Sequence, residues 1–482
     1  MAEETLAPLG GVVDTGPSER GVAPIKPQYL TTKEQFHTFL ETRGKSTGDQ
    51  AVGEPDSDRA ETRSSVCCDS SEPGAKRLKL DDGKVEGLER QPSGVGEGEP
   101  QQKKKVRGQN KSRPHMKPTR YDDNRLCPSL VQLSIQNKLY LAPLTTCGNL
   151  PFRRICKQFG ADVTCGEMAV CTNLLQGQSS EWALLKRHHT EDLFGVQLEG
   201  AFPDTMTKCA ELLNRTVEVD FVDINVGCPI DLVYKKGGGC ALMNRSNKFE
   251  QIVRGMNQVL DVPLTVKIRT GVQEKVNLAH RLLPELREWG VALATLHGRS
   301  REQRYTKGAD WQYIQHCVDV ASPMPLFGNG DILSYEDANL ALRTGVSGIM
   351  IARGALIKPW LFTEIKEQRH WDISSGERFN ILRDFTNYGL EHWGSDTQGV
   401  EKTRKFLLEW LSFLCRYIPV GLLEHLPQKI NERPPYYLGR DHLETLMASQ
   451  NVDDWISISE MLLGPVPPAF TFLPKHKANS YR

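Results

Sequence analysis

An alternation that begins at Lys138 constrains the fold of this chain more than anything else in it. Short, almost uninterrupted apolar runs recur, each followed by a stretch with helical spacing. The runs cover 139–145, 162–169, 193–200, 221–228, 264–271, 293–299, 325–331 and 348–355, and the clearest helical stretches between them are 204–216, 248–260, 278–289 and 335–343. Strands that are apolar on both faces suit a parallel sheet covered by helices rather than a half-exposed antiparallel one. Eight such units within about 220 residues predict an α/β fold of the (β/α)8 TIM-barrel type over 136–364. A doubly wound open sheet is the alternative, but no GxGxxG follows an early strand.

The flanks read differently. Beyond 364 the strand signal stops, and 379–392, 400–417, 422–430 and 442–461 read as helices of a C-terminal all-helical domain over 365–482. Residues 1–135 are rich in Gly, Ser, Glu, Lys and Pro and poor in aromatics, the composition of a disordered N-terminal region. One exception is 27–43, which predicts an amphipathic helix capped by Thr31 or Thr32. Lys+Arg and Asp+Glu both total 60, yet Lys103 to Arg120 holds eight basic residues and no acid. That cluster is either a solvated charge run or an arm for nucleic-acid phosphates, and its unopposed charge favours the arm. A second basic stretch, 75–81, resembles a short nuclear-import signal. No apolar run is long enough for a membrane span and no secretory leader is visible. Twelve scattered cysteines fit reduced thiols, and with them a place in the cytoplasm or nucleus.

In a barrel of this kind chemistry belongs at the C-terminal strand ends. There the chain carries Pro143, Leu144 and Thr145, then Gln197, then Asn225 and Cys228, then Lys267 and Arg269 on one strand face, then His297 and Arg299. The last two strands end in Asn329-Gly330-Asp331 and Ala352-Arg353-Gly354, where barrels commonly bind a phosphate. A phosphate at one end, a polar middle and a thiol at the rim match a flavin mononucleotide better than a sugar phosphate. Lys267 taken alone would also fit a Schiff-base aldolase. Of the two thiols in the loop that follows Asn225, Cys228 lies at the functional face. Cys240 precedes an apolar segment and reads as structural.

These residues carry a resemblance. APLTT (142–146), NLPFRR (149–154), GVQLEG (195–200), DINVGCP (223–229), GGGCALM (237–243), VKIRTG (266–271), LHGRSREQRY (296–305), FGNGDI (327–332) and IMIARGAL (349–356) together resemble the tRNA-dihydrouridine synthases. The likeness is greatest to their third eukaryotic class, which acts on the variable-loop uridine U47. It implies FMN held by Pro143, Leu144, Thr145, Gln197, Lys267, His297, Asn329, Gly330, Asp331, Ala352 and Arg353. It further implies NADPH or NADH as reductant, hydride delivery to C6 of the uridine and proton delivery to C5 by Cys228. Asn225, Arg269 and Arg299 would hold the substrate, and the helical domain would grip tRNA, with other RNA as a further partner. No metal is expected. Members of that class carry CCCH zinc fingers before the barrel. Here only Cys67, Cys68 and Cys127 precede Cys147, with no spaced Cys/His set. Two other functions fit the same residues: reduction of a free pyrimidine, and RNA binding without catalysis.

Overall fold

The computed structural model describes residues 21–44 and 135–475. Nine strands run in the order β1 (Lys138–Leu141), β2 (Thr164–Cys165), β3 (Ala169–Val170), β4 (Phe194–Glu199), β5 (Phe221–Asn225), β6 (Leu264–Arg269), β7 (Leu293–His297), β8 (Leu326–Asn329) and β9 (Gly348–Ile351). The sheet order is β1-β9-β8-β7-β6-β5-β4-β2, with β3 beside β4, and every pairing is parallel. A bridge between Tyr140 and Val163 closes the ring, and the Leu141 N–H donates to the Val163 carbonyl at 2.9 Å. The architecture is a (β/α)8 barrel, and the open-sheet alternative is excluded.

The second expected strand, 162–169, is broken in two. Glu167 turns its carboxylate to accept the Thr146 N–H, and a Cβ at Gly166 would stand 2.7 Å from the Leu184 carbonyl. Both features pull the backbone between β2 and β3 out of the ladder.

The barrel interior has two levels. At the N-terminal end Tyr140 meets Phe221 and Phe327 edge to face, with ring centroids 6.0 and 6.3 Å apart. Glycines make the room. A Cβ at Gly195 would lie 2.2 Å from the Phe221 ring, and one at Gly348 would lie 2.5 Å from that of Phe327. Above this apolar plug the inward positions turn polar: Gln197, Asp223, Asn225, Thr265, His297 and Asn329 are all buried. Buried polar groups are costly unless hydrogen-bonded, so this layer marks the functional end.

Helices Ser375–Trp393, Thr397–Leu414, His442–Ala448 and Val452–Leu463 follow the barrel. Trp410 fastens them to it. Its indole N–H donates to the Leu356 carbonyl at 3.0 Å, and its ring packs against Phe152 at 5.3 Å. The expected helix 422–430 does not form. Only a 3-10 turn, Val420–Leu422, is present, and the chain then pairs with the N-terminal segment through an Ile25–Leu423 bridge and a bond from the Glu424 N–H to the Pro24 carbonyl. The expected helix 442–461 is split because Ser449 and Asn451 cap rather than continue it. The Asn451 side chain accepts from the Asp453 N–H.

Disorder across 1–135 needs correction over 21–44. The helix Lys33–Gly44 starts at Thr32, whose Oγ1 accepts the Gln35 N–H while Gln35 returns its Oε1 to the Thr32 N–H, each at 3.2 Å. Ala23 and Ile25 pack with Ile418, Leu422 and Tyr437, and Phe36 and Leu40 join the main core. Apolar residues spaced too sparsely to form a core of their own are ordered by a core supplied elsewhere in the chain. The basic clusters 75–81 and 103–120 lie outside the described residues.

Candidate active site

Cys228 follows β5 in a loop that is held from three sides. The Asn225 side-chain oxygen accepts the Gly227 and Cys228 N–H groups at 3.2 and 2.8 Å. Arg269 donates from Nε to the Gly227 carbonyl at 2.7 Å and from a terminal nitrogen to the Ser300 carbonyl at 2.9 Å. Gly239, in the left-handed region with φ at +52°, packs on the thiol residue. A Cβ there would stand 3.2 Å from that of Cys228. Burial pushes the Cys228 thiol up, which keeps it protonated at neutral pH. Cys240 is fully buried and pushed up to about 11, as expected of a structural thiol.

Beneath the thiol runs a continuous relay. Asn225 Nδ2 donates to Gln197 Oε1 at 2.8 Å, Gln197 Nε2 donates to one Asp223 oxygen at 2.8 Å, and the Thr265 hydroxyl donates to the other at 2.6 Å. The relay fixes the orientation of both amides, and through Asn225 it reaches the backbone of Cys228. Burial pushes Asp223 up to about 6, against the pull of its Thr265 and Gln197 bonds and of Lys267. Lys267 donates to Asn329 Oδ1 at 3.2 Å. Burial, then Arg269, push its ammonium down to about 8. His297 is held well below the ordinary imidazole range by burial first, and then by Arg269, Lys267, Arg299 and Arg353. It is therefore neutral.

At the far side, Asp331 joins two guanidiniums. Arg353 donates to one oxygen at 2.7 Å; Arg299 and the Ala309 N–H donate to the other. Tyr305 lies under Arg353, whose guanidinium carbon is 4.0 Å from the ring centroid. Two cations against one carboxylate leave a local positive charge, and Arg353 keeps a small part of its side chain exposed. Gly330, at φ +150°, is required by packing, since a Cβ would approach Ala309 to 2.4 Å.

The chain matches the family model described as "Dihydrouridine synthase (Dus)" over residues 140–410. It is 57% identical to a human protein named "tRNA-dihydrouridine(47) synthase [NAD(P)(+)]-like", with all of each chain covered. A Xenopus tropicalis protein of the same name is also 57% identical, covering 96% of this chain and 97% of that one. The chain belongs to the dihydrouridine synthase family. It is therefore an oxidoreductase, and an Oryza sativa relative of the same name is 60% identical over 72% of this chain and 51% of its own length. The human alignment runs over 661 positions against the 482 residues here, so the relative carries segments that this synthase lacks.

Within the synthase barrel, the expected site residues gather at one end, with qualifications. Pro143, Leu144 and Thr145 follow β1, Thr145 being exposed at the rim. Arg299 differs from the expectation of a substrate contact. It is fully buried and bonded to Asp331 and, through two nitrogens, to the Lys307 carbonyl. Arg269 likewise braces the thiol loop. Both carboxylate oxygens of Asp331 are taken up within the protein, so it organises arginines rather than facing an anion. Sequence reasoning passed over Asp223, Thr265, Tyr305 and Glu199. An acid inside FVDIN and another closing GVQLE were visible signals, but their partners lie on other strands.

Proposed function

We propose that this synthase reduces uridine to 5,6-dihydrouridine in tRNA, at variable-loop position 47, using FMN recharged by NADPH or NADH. The observation that carries the reading is Cys228, held protonated at the barrel rim directly over the relay of Asn225, Gln197 and Asp223. A thiol kept neutral by burial serves as an acid rather than a nucleophile.

The residues fit a flavin. Among the described residues Lys267 has one hydrogen-bond acceptor for three N–H groups, leaving donors for an electron-rich ring edge. The fixed Gln197 amide offers a donor and an acceptor side by side. Arg353, with the glycine turn at Gly330, supplies a cationic end for the phosphate. When bound, the flavin would supply the hydride. Neutral His297 can donate one hydrogen bond without adding charge, and Lys267, near 8, supports negative charge on the ring. Asn225 orients the loop so that the Cys228 proton meets C5 of a base turned out of its stack. The helical domain and the basic stretch 103–120 would hold the RNA body.

Dihydrouridine mapping in tRNA from cells with and without this chain tests the reading. Loss of the modification at position 47 alone is expected. An unchanged map, or a purified protein that takes up no FMN, would sink it.

A further inference from the structure

Glu199 ends β4 on the same face as Gln197, two residues on, and so points to the mouth of the barrel. It is 6% exposed, and among the described residues no group donates a hydrogen bond to its carboxyl. Its surroundings point to the thiol. A Cβ on Gly238 would lie 2.0 Å from Glu199 Oε1, and one on the next residue, Gly239, would lie 3.2 Å from the Cys228 Cβ. The acid and the thiol thus flank two consecutive glycines, which put no side chain between them.

We infer that Glu199 is the proton reservoir that recharges Cys228 between turnovers, an inference that rests on the reading of Cys228 as the acid. In each turnover the Cys228 S–H bond breaks and its proton forms the new C–H bond at C5, leaving a thiolate. The Glu199 carboxyl then gives its proton to Sγ, directly or across an ordered water, leaving a carboxylate. Solvent at the rim reprotonates that carboxylate. No electrons change hands. Burial pushes both groups up from their ordinary ranges, the carboxyl partly offset by Lys236 and reinforced by Glu181. Arg269 and Lys267 face the thiol from β6, with Cys240 behind it; the two cations ease formation of the thiolate. A carboxylic acid is the stronger acid of the pair, so the transfer to sulfur runs downhill.

The test uses the full chain with FMN, excess NADPH and unmodified tRNA in rapid-quench turnover. Glu199→Gln is expected to form one dihydrouridine per active site at the wild-type rate. Later turnovers should slow at least about tenfold, with the flavin accumulating in its reduced form. Glu199→Ala should behave likewise and recover later turnovers in formate buffer. If first and later turnovers are slowed together, or neither is, or formate gives no rescue, the reservoir is wrong. Cys228→Ala should slow even the first turnover by about 10²–10⁴-fold. If it does not, the acid assignment itself fails, whatever Glu199 does.

Discussion

At the scale of single residues, the polar relay controls the thiol. Cys228→Ala is expected to keep flavin and tRNA binding and lose about 10²–10⁴-fold in turnover, the usual worth of a positioned acid. Asp223→Asn is a subtler probe. With the Thr265 hydroxyl still donating to the Asn oxygen, its new amide N–H₂ would face Gln197 Nε2, donor against donor. Gln197 must then flip, Asn225 must follow, and the Cys228 N–H loses its acceptor. The expectation is a fall in turnover of about tenfold or more, since a lost buried hydrogen bond is worth about 1–3 kcal/mol, with flavin retained. The same residue sets a pH dependence. Its folded value of about 6 lies above the ordinary carboxyl range. The folded chain therefore keeps a proton that the unfolded chain loses above about pH 4. This contribution to stability is complete below that and is lost as pH rises through about 6, by at most about 3 kcal/mol. Thermal melts from pH 4 to 7 (a range of about three units) should show this slope in the wild type and not in Asp223→Asn.

At the scale of elements, the loop 237–239 and the N-terminal segment 21–44 carry the sharpest expectations. Gly238→Ala drives a methyl into the Glu199 carboxyl, the free end of a flexible side chain, so Glu199 must swing aside. Turnover should fall while melting temperature changes little, because only the end of a flexible side chain has to move. An alanine variant with full activity would mean that the loop is not seated on the acid. Phe36→Ala empties a fully packed site between the N-terminal helix and the helical domain, and should cost about 3–5 kcal/mol. Chemical denaturation measures it, and a cost below about 1 kcal/mol would mean that the segment is only loosely attached.

At the scale of the whole molecule, the barrel holds the chemistry while the helical domain is anchored on it by Trp410. No helix among the described residues is long and apolar enough to cross a membrane. If the basic stretch 103–120 engages phosphates, replacing its eight Lys and Arg by Gln should weaken tRNA binding. It should also flatten the dependence of affinity on salt, by about 0.7–0.9 in slope for each phosphate no longer neutralised. Turnover at saturating tRNA should be unaffected. A salt slope equal to the wild type would remove the arm from the interface.

What the sequence determined by itself is the periodic part of this protein. Hydrophobic period is a local property, so the strand–helix alternation was legible except at the second strand, which is broken in two, and the helix Tyr335–Arg343 was legible to its ends. The strand-end motifs followed, because topology in a barrel sends every strand's C-terminal end to one face. Only the tertiary structure decided the rest. Residues 21–30 found backbone partners at 422–437, some four hundred positions away, and no local pattern encodes that pairing. Arg299, which looks like a substrate contact from its place at a strand end, is drawn inward by Asp331 on a different strand end. The cysteine loop was conspicuous from the start, but the upward push on its thiol comes from burial, and two glycines let Glu199 and Cys228 pack against the same turn. Desolvation and close approach depend on what folds over a residue, and these are properties of the assembled barrel.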